Sequence, residues 1–330
     1  MNVIGLDIGH SAVKVSATLP TGKALRLIFP SVICPAFRIS DDAERMRAAE
    51  ETVAVGNRSY FFGETARTQG GASVTTGLSE DWIDTPEHTA LLLGAWRKIV
   101  AAGHPVDGVM MVLGLPTHLF SRQRDRLRDT VARHLPVKDV KVMPQAMGPY
   151  QATMLMQNGA LNPDRQLTSE SWGVVEVGHF TTDFMLVQRG RWVEKASGVC
   201  SGARVAAEHL MRLVGDRGTT VDILEAEEAL QTGHVRHFGR RLDVAHERSQ
   251  AIGMLVDEVV DTATRLMEPY ARRLDGVIVA GGGADMVYGV LRDRWPHAIK
   301  AEDPRFSVAE GMRRFGAALS LVRAKLATPA

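Results

Sequence analysis

One pattern constrains this sequence more than any other, because it occurs twice. Near the start, Val3-Ile4-Gly5-Leu6-Asp7-Ile8-Gly9-His10-Ser11-Ala12-Val13-Lys14-Val15 sets two apolar runs around an Asp-x-Gly-x-Ser turn. Two such runs predict a β-hairpin with its polar chemistry at the tip. Gly9 lets the backbone come close to a ligand without a Cβ in the way. Successive backbone N–H groups in such a turn form a concave anion site, to which Ser11 adds a hydroxyl. Lys14 adds a point charge that suits phosphate. Asp7 suits a hydrated Mg²⁺, a hard cation that keeps waters and takes one or two carboxylates. About half a chain later, Val174-Val175-Glu176-Val177-Gly178-His179-Phe180-Thr181-Thr182-Asp183-Phe184 repeats apolar–acid–apolar–Gly–His–x–polar. A repeat of this length is too long for a solenoid. It predicts two related lobes with a phosphate clamped between two hairpins. A third glycine turn, Gly281-Gly282-Gly283, ends another apolar strand, Val277 to Ala280.

This ordered set resembles the actin, sugar kinase and heat-shock chaperone superfamily. Within it, the chain resembles the prokaryotic actin-like proteins of plasmid partitioning, the ParM/StbA group, and the related archaeal actins. Leu113-Gly114-Leu115-Pro116-Thr117 resembles that group's Gly-Leu-Pro strand end. Gln145-Ala146, after Val142-Met143-Pro144, resembles the segment that carries its catalytic polar residue, and Thr181-Thr182-Asp183 resembles its second phosphate turn. Phe306 to Gly316 resembles its closing helix.

The resemblance covers nearly the whole chain and implies an α/β protein with the actin-like ATPase fold. Two related lobes, each a mixed sheet flanked by helices, would enclose a nucleotide cleft. The first lobe is expected over residues 1–160, with about 305–330 packing back on it, and the second over 161–304. The implied cofactors are ATP or ADP with Mg²⁺. Gly9, His10, Ser11 and Lys14 would hold the β- and γ-phosphates from one side, and Gly178, His179 and Thr181 from the other. Gly281, Gly282 and Gly283 would approach the adenosine and its α-phosphate. Asp7 and Glu176 would hold the metal through water, and Gln145 would orient the attacking water. The protein's task in such chemistry is positioning and charge stabilisation. Nucleotide state would then bias head-to-tail self-assembly into filaments, which would segregate plasmid DNA through a DNA-binding adaptor.

Three features depart from that pattern or leave it open. Glu176 stands where the group usually has Asp, and its longer arm either still reaches the metal's water shell or shifts it and slows hydrolysis. His10 and His179 are either phosphate donors or simply turn residues. Glu225 and Glu228, on a helix opened by Asp222, either face the adenosine or form a solvent face. Two other functions remain as rivals. A small-molecule kinase of the same superfamily needs a catalytic aspartate, for which Asp183 is the candidate. A scaffold that binds ATP to assemble, with little hydrolysis, draws on Glu176.

Composition excludes other classes. At 330 residues the chain can bury substantial cores, and 45% hydrophobic with 23% charged residues is ordinary globular usage. A net charge of +1 gives no global field for nucleic acid or anionic membrane. No apolar run approaches the ~20 residues that span a bilayer. Nothing at the N-terminus resembles a signal peptide, so a cytoplasmic protein is expected. Cys34 and Cys200 lack zinc spacing and stand as two thiols or, less simply, a disulfide. Neither GxxxxGK[ST] nor GxGxxG occurs, which disfavours P-loop and Rossmann nucleotide folds.

Local signals place the remaining elements. Ala24 to Phe29 extends the first hairpin to a meander. Pro30, Pro35 and the polar run Asp41 to Arg45 mark a loop or short insertion, and Val53 to Phe62 another hairpin. Thr85-Pro86-Glu87 opens a helix, Val109 to Leu115 is a buried strand, and Ser121 is expected to cap an arginine-rich helix with a solvated face. Val137 to Met143 is a strand, and Gln145 is expected on the helix after Pro144. In the second lobe, strands are expected to Val187 and over Arg191 to Ala196, then helices from Ala203 and Asp222. His234 to Arg241, a basic stretch with Phe238, is a surface loop or a filament contact. A long helix from about Val244 to Met267, a helix from Asp285 to Trp295 and a last helix from Ser307 to Leu321 complete the chain.

Overall fold

The structure, a computed structural model, describes residues 2–75 and 79–327. The chain divides into two units, Met1–Gln166 with Phe306–Ala330, and Leu167–Arg305.

The first unit begins with the meander β1 (Asn2–Ile8), β2 (Ala12–Thr18) and β3 (Ala24–Pro30). A small sheet follows, from β4 (Ile33–Pro35), β5 (Thr52–Val55) and β6 (Arg58–Phe62), with α1 (Asp42–Glu50) between the first two. Of the two readings of Asp41 to Arg45, a loop or a short insertion, the second holds, and the stretch starts a helix. Asp41 Oδ1 accepts from the Glu44 backbone N–H, which caps α1. Next come α2 (Gly63–Gln69), α3 (Pro86–Ala101), β7 (Val109–Leu115), α4 (Phe120–His134), β8 (Asp139–Pro144) and α5 (Met147–Met154). Thr85 caps α3 by accepting from the His88 N–H, with Pro86 in its first turn. Ser121 does not cap α4, which starts one residue earlier after Leu119 without a side-chain cap. Gln145 precedes α5 rather than lying on it, because its N–H still bonds the Leu115 carbonyl at the end of β7. The arginines of α4 pair with Glu80, Asp84, Asp125 and Asp129 on an exposed face, as a solvated helix should.

The main sheet has the order β3-β2-β1-β7-β8, antiparallel in the meander and parallel from β1 onward. β1 and β7 are buried on both faces, and period-2 alternation divides their side chains between two cores. Ile4, Leu6, Met111 and Leu113 pack with Leu91, Leu92 and Ile99 of α3. Val3, Met110 and Val112 pack with Val308 and Met312 on the other side.

The second unit repeats the plan. β9 (Ser171–Val177) and β10 (Thr181–Gln188) form the hairpin. The strand expected over Arg191 to Ala196 shrinks to β11 (Arg191–Trp192), after which Glu194–Ala196 make one 3-10 turn. β12 (Gly198–Ser201) pairs with β10 and was not expected. Then come α6 (Arg204–Asp216), α7 (Ile223–Thr232), the hairpin β13 (His234–His237) and β14 (Arg240–Asp243), and α8 (Ala245–Ala271). The basic stretch is thus a paired hairpin, not an irregular loop. β15 (Gly276–Ala280), α9 (Ala284–Arg294) and β16 (Ala298–Lys300) end the unit. The sheet order β11-β10-β9-β15-β16 has the same mixed pairing as the first. Val175, Val177, Val277 and Val279 pack with Leu210 of α6 and Leu255 and Val259 of α8.

The final helix, α10 (Ser307–Ala327), returns to the first unit. Its buried Glu310 accepts from Ser16 of β2, Arg313 and Arg314. Arg314 also donates to the Ala152 and Leu155 carbonyls at the end of α5. Both cysteines are free. No helix among the described residues is long and apolar enough to cross a membrane.

Candidate functional site

In the first unit, Asp7 lies one residue before the end of β1, almost fully buried at 3% exposure. Each carboxylate oxygen receives one donor: Lys14 Nζ reaches Oδ2 at 3.0 Å and Gln145 Nε2 reaches Oδ1 at 3.0 Å. The hairpin register sets Asp7 opposite Lys14, so the first contact is a cross-strand pair. The second needs Gly114, since a Cβ there would stand 2.8 Å from Gln145 Cγ. With its NH₂ group turned to Asp7, Gln145 has its carbonyl oxygen left as a water acceptor, and each Asp7 oxygen keeps a further lone pair.

The turn itself is held from behind. Ser31 Oγ donates to the Gly9 carbonyl at 2.5 Å, and the Ser31 N–H to the Ser11 carbonyl at 2.9 Å. A Cβ on Gly9 would meet the Ala12 carbonyl at 3.1 Å and Lys14 Nζ at 3.2 Å, so a side chain there would press both back by a few tenths of an ångström. His10 stacks on Trp82, ring centroids 4.4 Å apart at 24°. Neither Ser31 nor Trp82 was flagged by the sequence, since both reach the turn from distant segments.

The second hairpin is tied down in a parallel way. The carbonyls of Gly178, His179 and Phe180 accept from the N–H groups of Ala203, Arg204 and Gly202, at 2.9, 2.9 and 3.0 Å. In both units a following segment engages carbonyls of the turn, those of Gly9 and Ser11 in the first and of Gly178, His179 and Phe180 in the second, and turns them from an anion. A Cβ on Gly178 would lie 2.8 Å from the Thr181 carbonyl. Thr181 Oγ1 donates inward to Asp183 Oδ2 at 2.8 Å, and Asp183 is fully buried.

Glu176, 7% exposed, lodges its carboxylate between the two glycine turns. A Cβ on Gly178 would be 3.6 Å from its Oε2, and one on Gly281 2.6 Å from its Oε1. Gly281 has φ +87, so glycine there serves both the backbone and the longer acid. Gly283 donates its N–H to the Val177 carbonyl at 3.0 Å. Gly282 alone of the three faces open space and is exposed.

On α7 the acids divide. Glu225 completes a capping box with Asp222, so its carboxylate is engaged at the helix start. Glu228 is exposed. It is Glu227 that comes to the hairpin, with Oε1 3.5 Å from His179 Nε2. A usable signal was present: Ala226, Ala229 and Leu230 mark the buried face, and Glu227 borders it, one turn before Leu230.

This arrangement gathers a buried carboxylate, a lysine and an amide around a glycine turn in one unit. In the other it gathers a second carboxylate between two glycine turns. The donor set and the glycine cradles fit a magnesium–nucleotide phosphate.

Residues 5–148 match the N-terminal domain of actin-like proteins, and residues 174–293 match the C-terminal domain of the archaeal MreB-like actin homologues. Among curated proteins none matches in sequence. Among solved structures, a 15-stranded ParM filament from Clostridium botulinum is 19% identical, with 96% of this chain and 98% of that chain covered and a TM-score of 0.74. An archaeal actin homologue in complex with ADP is also 19% identical, covering 96% and 99%, with a TM-score of 0.72. Bacillus thuringiensis ParM with ATP is 14% identical over 99% of both chains, with a TM-score of 0.63. At these identities the likeness is one of fold. The two domain matches and the repeated sheet plan agree, and the chain belongs to the actin-like proteins, with a ParM-like fold.

Proposed function

We propose that this actin-like protein binds and hydrolyses Mg·ATP and assembles into filaments with it. The observation that carries this reading is Asp7, held between Lys14 and Gln145 at 3.0 Å each beside the Gly9 turn. Asp7 would hold the hydrated metal, with Glu176 as its counterpart in the second unit. When bound, the metal supplies charge neutralisation at the β- and γ-phosphates. Gly9, His10, Ser11 and Lys14 on one turn, and Gly178, His179 and Thr181 on the other, would hold the phosphates. Thr181 would do so through its backbone, since its hydroxyl points to Asp183. Gly282 would lie nearest the adenosine. Gln145 positions the attacking water with its carbonyl oxygen; it does not take the proton.

Two solved relatives are described with ADP and ATP, and another as a filament, which supports nucleotide use and self-association here. By resemblance to the ParM group, the cargo would be plasmid DNA reached through a DNA-binding adaptor, in the cytoplasm. The kinase alternative is weakened by Asp183, whose carboxylate is buried and bonded to Thr181.

The test is simultaneous light scattering and phosphate release after adding Mg·ATP. Both signals are expected to rise in the wild type and to vanish in Asp7→Ala. Gln145→Ala is expected to bind nucleotide normally but release phosphate about 100-fold more slowly, the cost of a misplaced attacking water. Scattering without phosphate release would replace hydrolysis by the scaffold reading, and ATP-dependent phosphorylation of a sugar would replace both.

A further inference from the structure

The hairpin β13–β14 turns through Phe238 and Gly239, at φ +46 and +78. These are the angles of a type I′ turn, whose first position favours Asn, Asp or Gly. A bulky aromatic at positive φ is an outlier, and such strain points toward function when the fold does not need it. Here the fold does not. Phe238 is 95% exposed, the most exposed large apolar side chain among the described residues. Its ring touches His237 edge-on at 4.7 Å.

Around the ring the surface is cationic. Arg236 and Arg240 are exposed, and the Arg241 guanidinium lies 2.8 Å from His234 Nδ1. None of these three arginines meets a carboxylate among the described residues. A hollow of about 510 Å³ at the hairpin's root is lined by Thr232, His234, Arg241, Asp243 and Arg248. The side chain of Arg248 donates to the Leu230 carbonyl, not to an acid. An apolar spike ringed by unneutralised guanidiniums fits an acidic surface with an apolar seat.

The chain itself carries such a surface. On α8, Met254 is 47% exposed, and Asp257 and Asp261 are exposed and unpaired with any base among the described residues. At spacings of three and seven residues they share one helix face. A methionine pad adapts readily to an aromatic ring. A net charge of +1 over the whole chain lets copies approach without global repulsion.

Resting on the filament reading above, we infer that the Phe238 hairpin of one copy docks on the Met254–Asp257–Asp261 face of a second copy. The contact joins different patches, so it is heterologous and can propagate without closing.

Phe238→Asn tests this cleanly, because asparagine suits the turn and the variant should fold at least as stably as the wild type. It is expected to raise the critical concentration for assembly at least tenfold while leaving nucleotide affinity unchanged. Arg236→Glu with Arg240→Glu is expected to block assembly, and adding Asp257→Lys with Asp261→Lys in the same chain to restore it. Assembly of Phe238→Asn at the wild-type concentration overturns the hairpin contact and leaves the filament reading standing. A wild type that binds nucleotide yet never assembles overturns both. Failure of the charge swap to restore assembly overturns the α8 face as the seat. Loss of DNA co-sedimentation in Phe238→Asn with assembly intact would replace the second copy by nucleic acid and overturn the inference.

Discussion

At the scale of single residues, His88 shows how the Gly9 turn of the first unit is supported by an uncharged core. His88 is buried on α3, and its Nδ1 has no hydrogen-bond partner among the described residues. Burial, with a smaller contribution from the His10 charge, pushes its pKa down to about 3 from 6.5. Its ring meets Trp82 edge-on at 5.2 Å, and Trp82 carries the His10 stack. Protonation of His88 therefore favours the unfolded chain. The stability it contributes is whole above pH 6.5 and is lost as pH falls toward 3. Glu310 has a separate window. Burial raises its pKa, but Arg313, Ser16 and Arg314 together hold it at about 2 against 4.5. Its contribution is complete above pH 4.5 and is lost below. Between pH 6.5 and 4.5 His88 draws stability down as the pH falls, joined by His104, whose pKa burial also lowers. His88→Phe keeps an aromatic ring and removes the proton site. It is expected to flatten the fall of Tm with pH across that window, in thermal melts at half-unit steps. An unchanged slope would remove His88 from the account.

Elements meet at backbone distance where glycine permits it, and α10 is the clearest case. A Cβ on Gly311 would overlap the Gly148 carbonyl of α5, and one on Gly148 would stand 2.7 Å from the Val308 backbone. A Cβ on Gly5 of β1 would overlap the Ala309 carbonyl. Backbone cannot swing aside as a side chain can, so Gly311→Ala must push α10 away from α5. It is expected to lose at least about 3 kcal/mol in urea unfolding, at the upper end of overpacking costs. Gly289→Ala on α9 meets nothing within 4 Å and should gain roughly 0.5–1 kcal/mol. Equal effects at the two sites would refute the close-packing argument. The same helix marks what a sequence reveals. Its existence followed from the resemblance of Phe306 to Gly316 to a closing helix, and the caps Thr85 and Asp222 were legible because capping is local. The hairpin acids Asp7 and Glu176 were legible from their repeat. The glycine contacts of α10, the Ser31 clamp, Trp82 and Glu227 were not, because each acts on a segment remote in sequence. The hairpin β13–β14 was hidden for another reason: its charged composition is that of a loop, and a two-stranded pair needs few apolar positions.

For the molecule as a whole, the question is how two units with separate cores respond to one ligand. A ligand that binds only folded protein stabilises it by RT ln(1 + [L]/Kd), about 2.7 kcal/mol at a hundredfold excess over Kd. For units of this size that is a rise of roughly 5–10 °C in Tm. If one nucleotide engages the Asp7 turn of the first unit and the Glu176 turn of the second, unfolding either unit releases it. Mg·ADP should then raise the melting of both units together, read by calorimetry as one transition moving upward. Asp7→Ala in the first unit and Gly178→Val in the second should each abolish the whole shift. The second variant would place its Cβ 2.8 Å from the Thr181 carbonyl and close the cradle. ADP is the ligand of choice because no hydrolysis runs during the scan, so the shift reports binding alone. Two resolved transitions, only one of which moves with Mg·ADP, would mean that the nucleotide is held by one unit. Glu176 would then be a structural acid packed against Gly281, with no part in the metal's water shell.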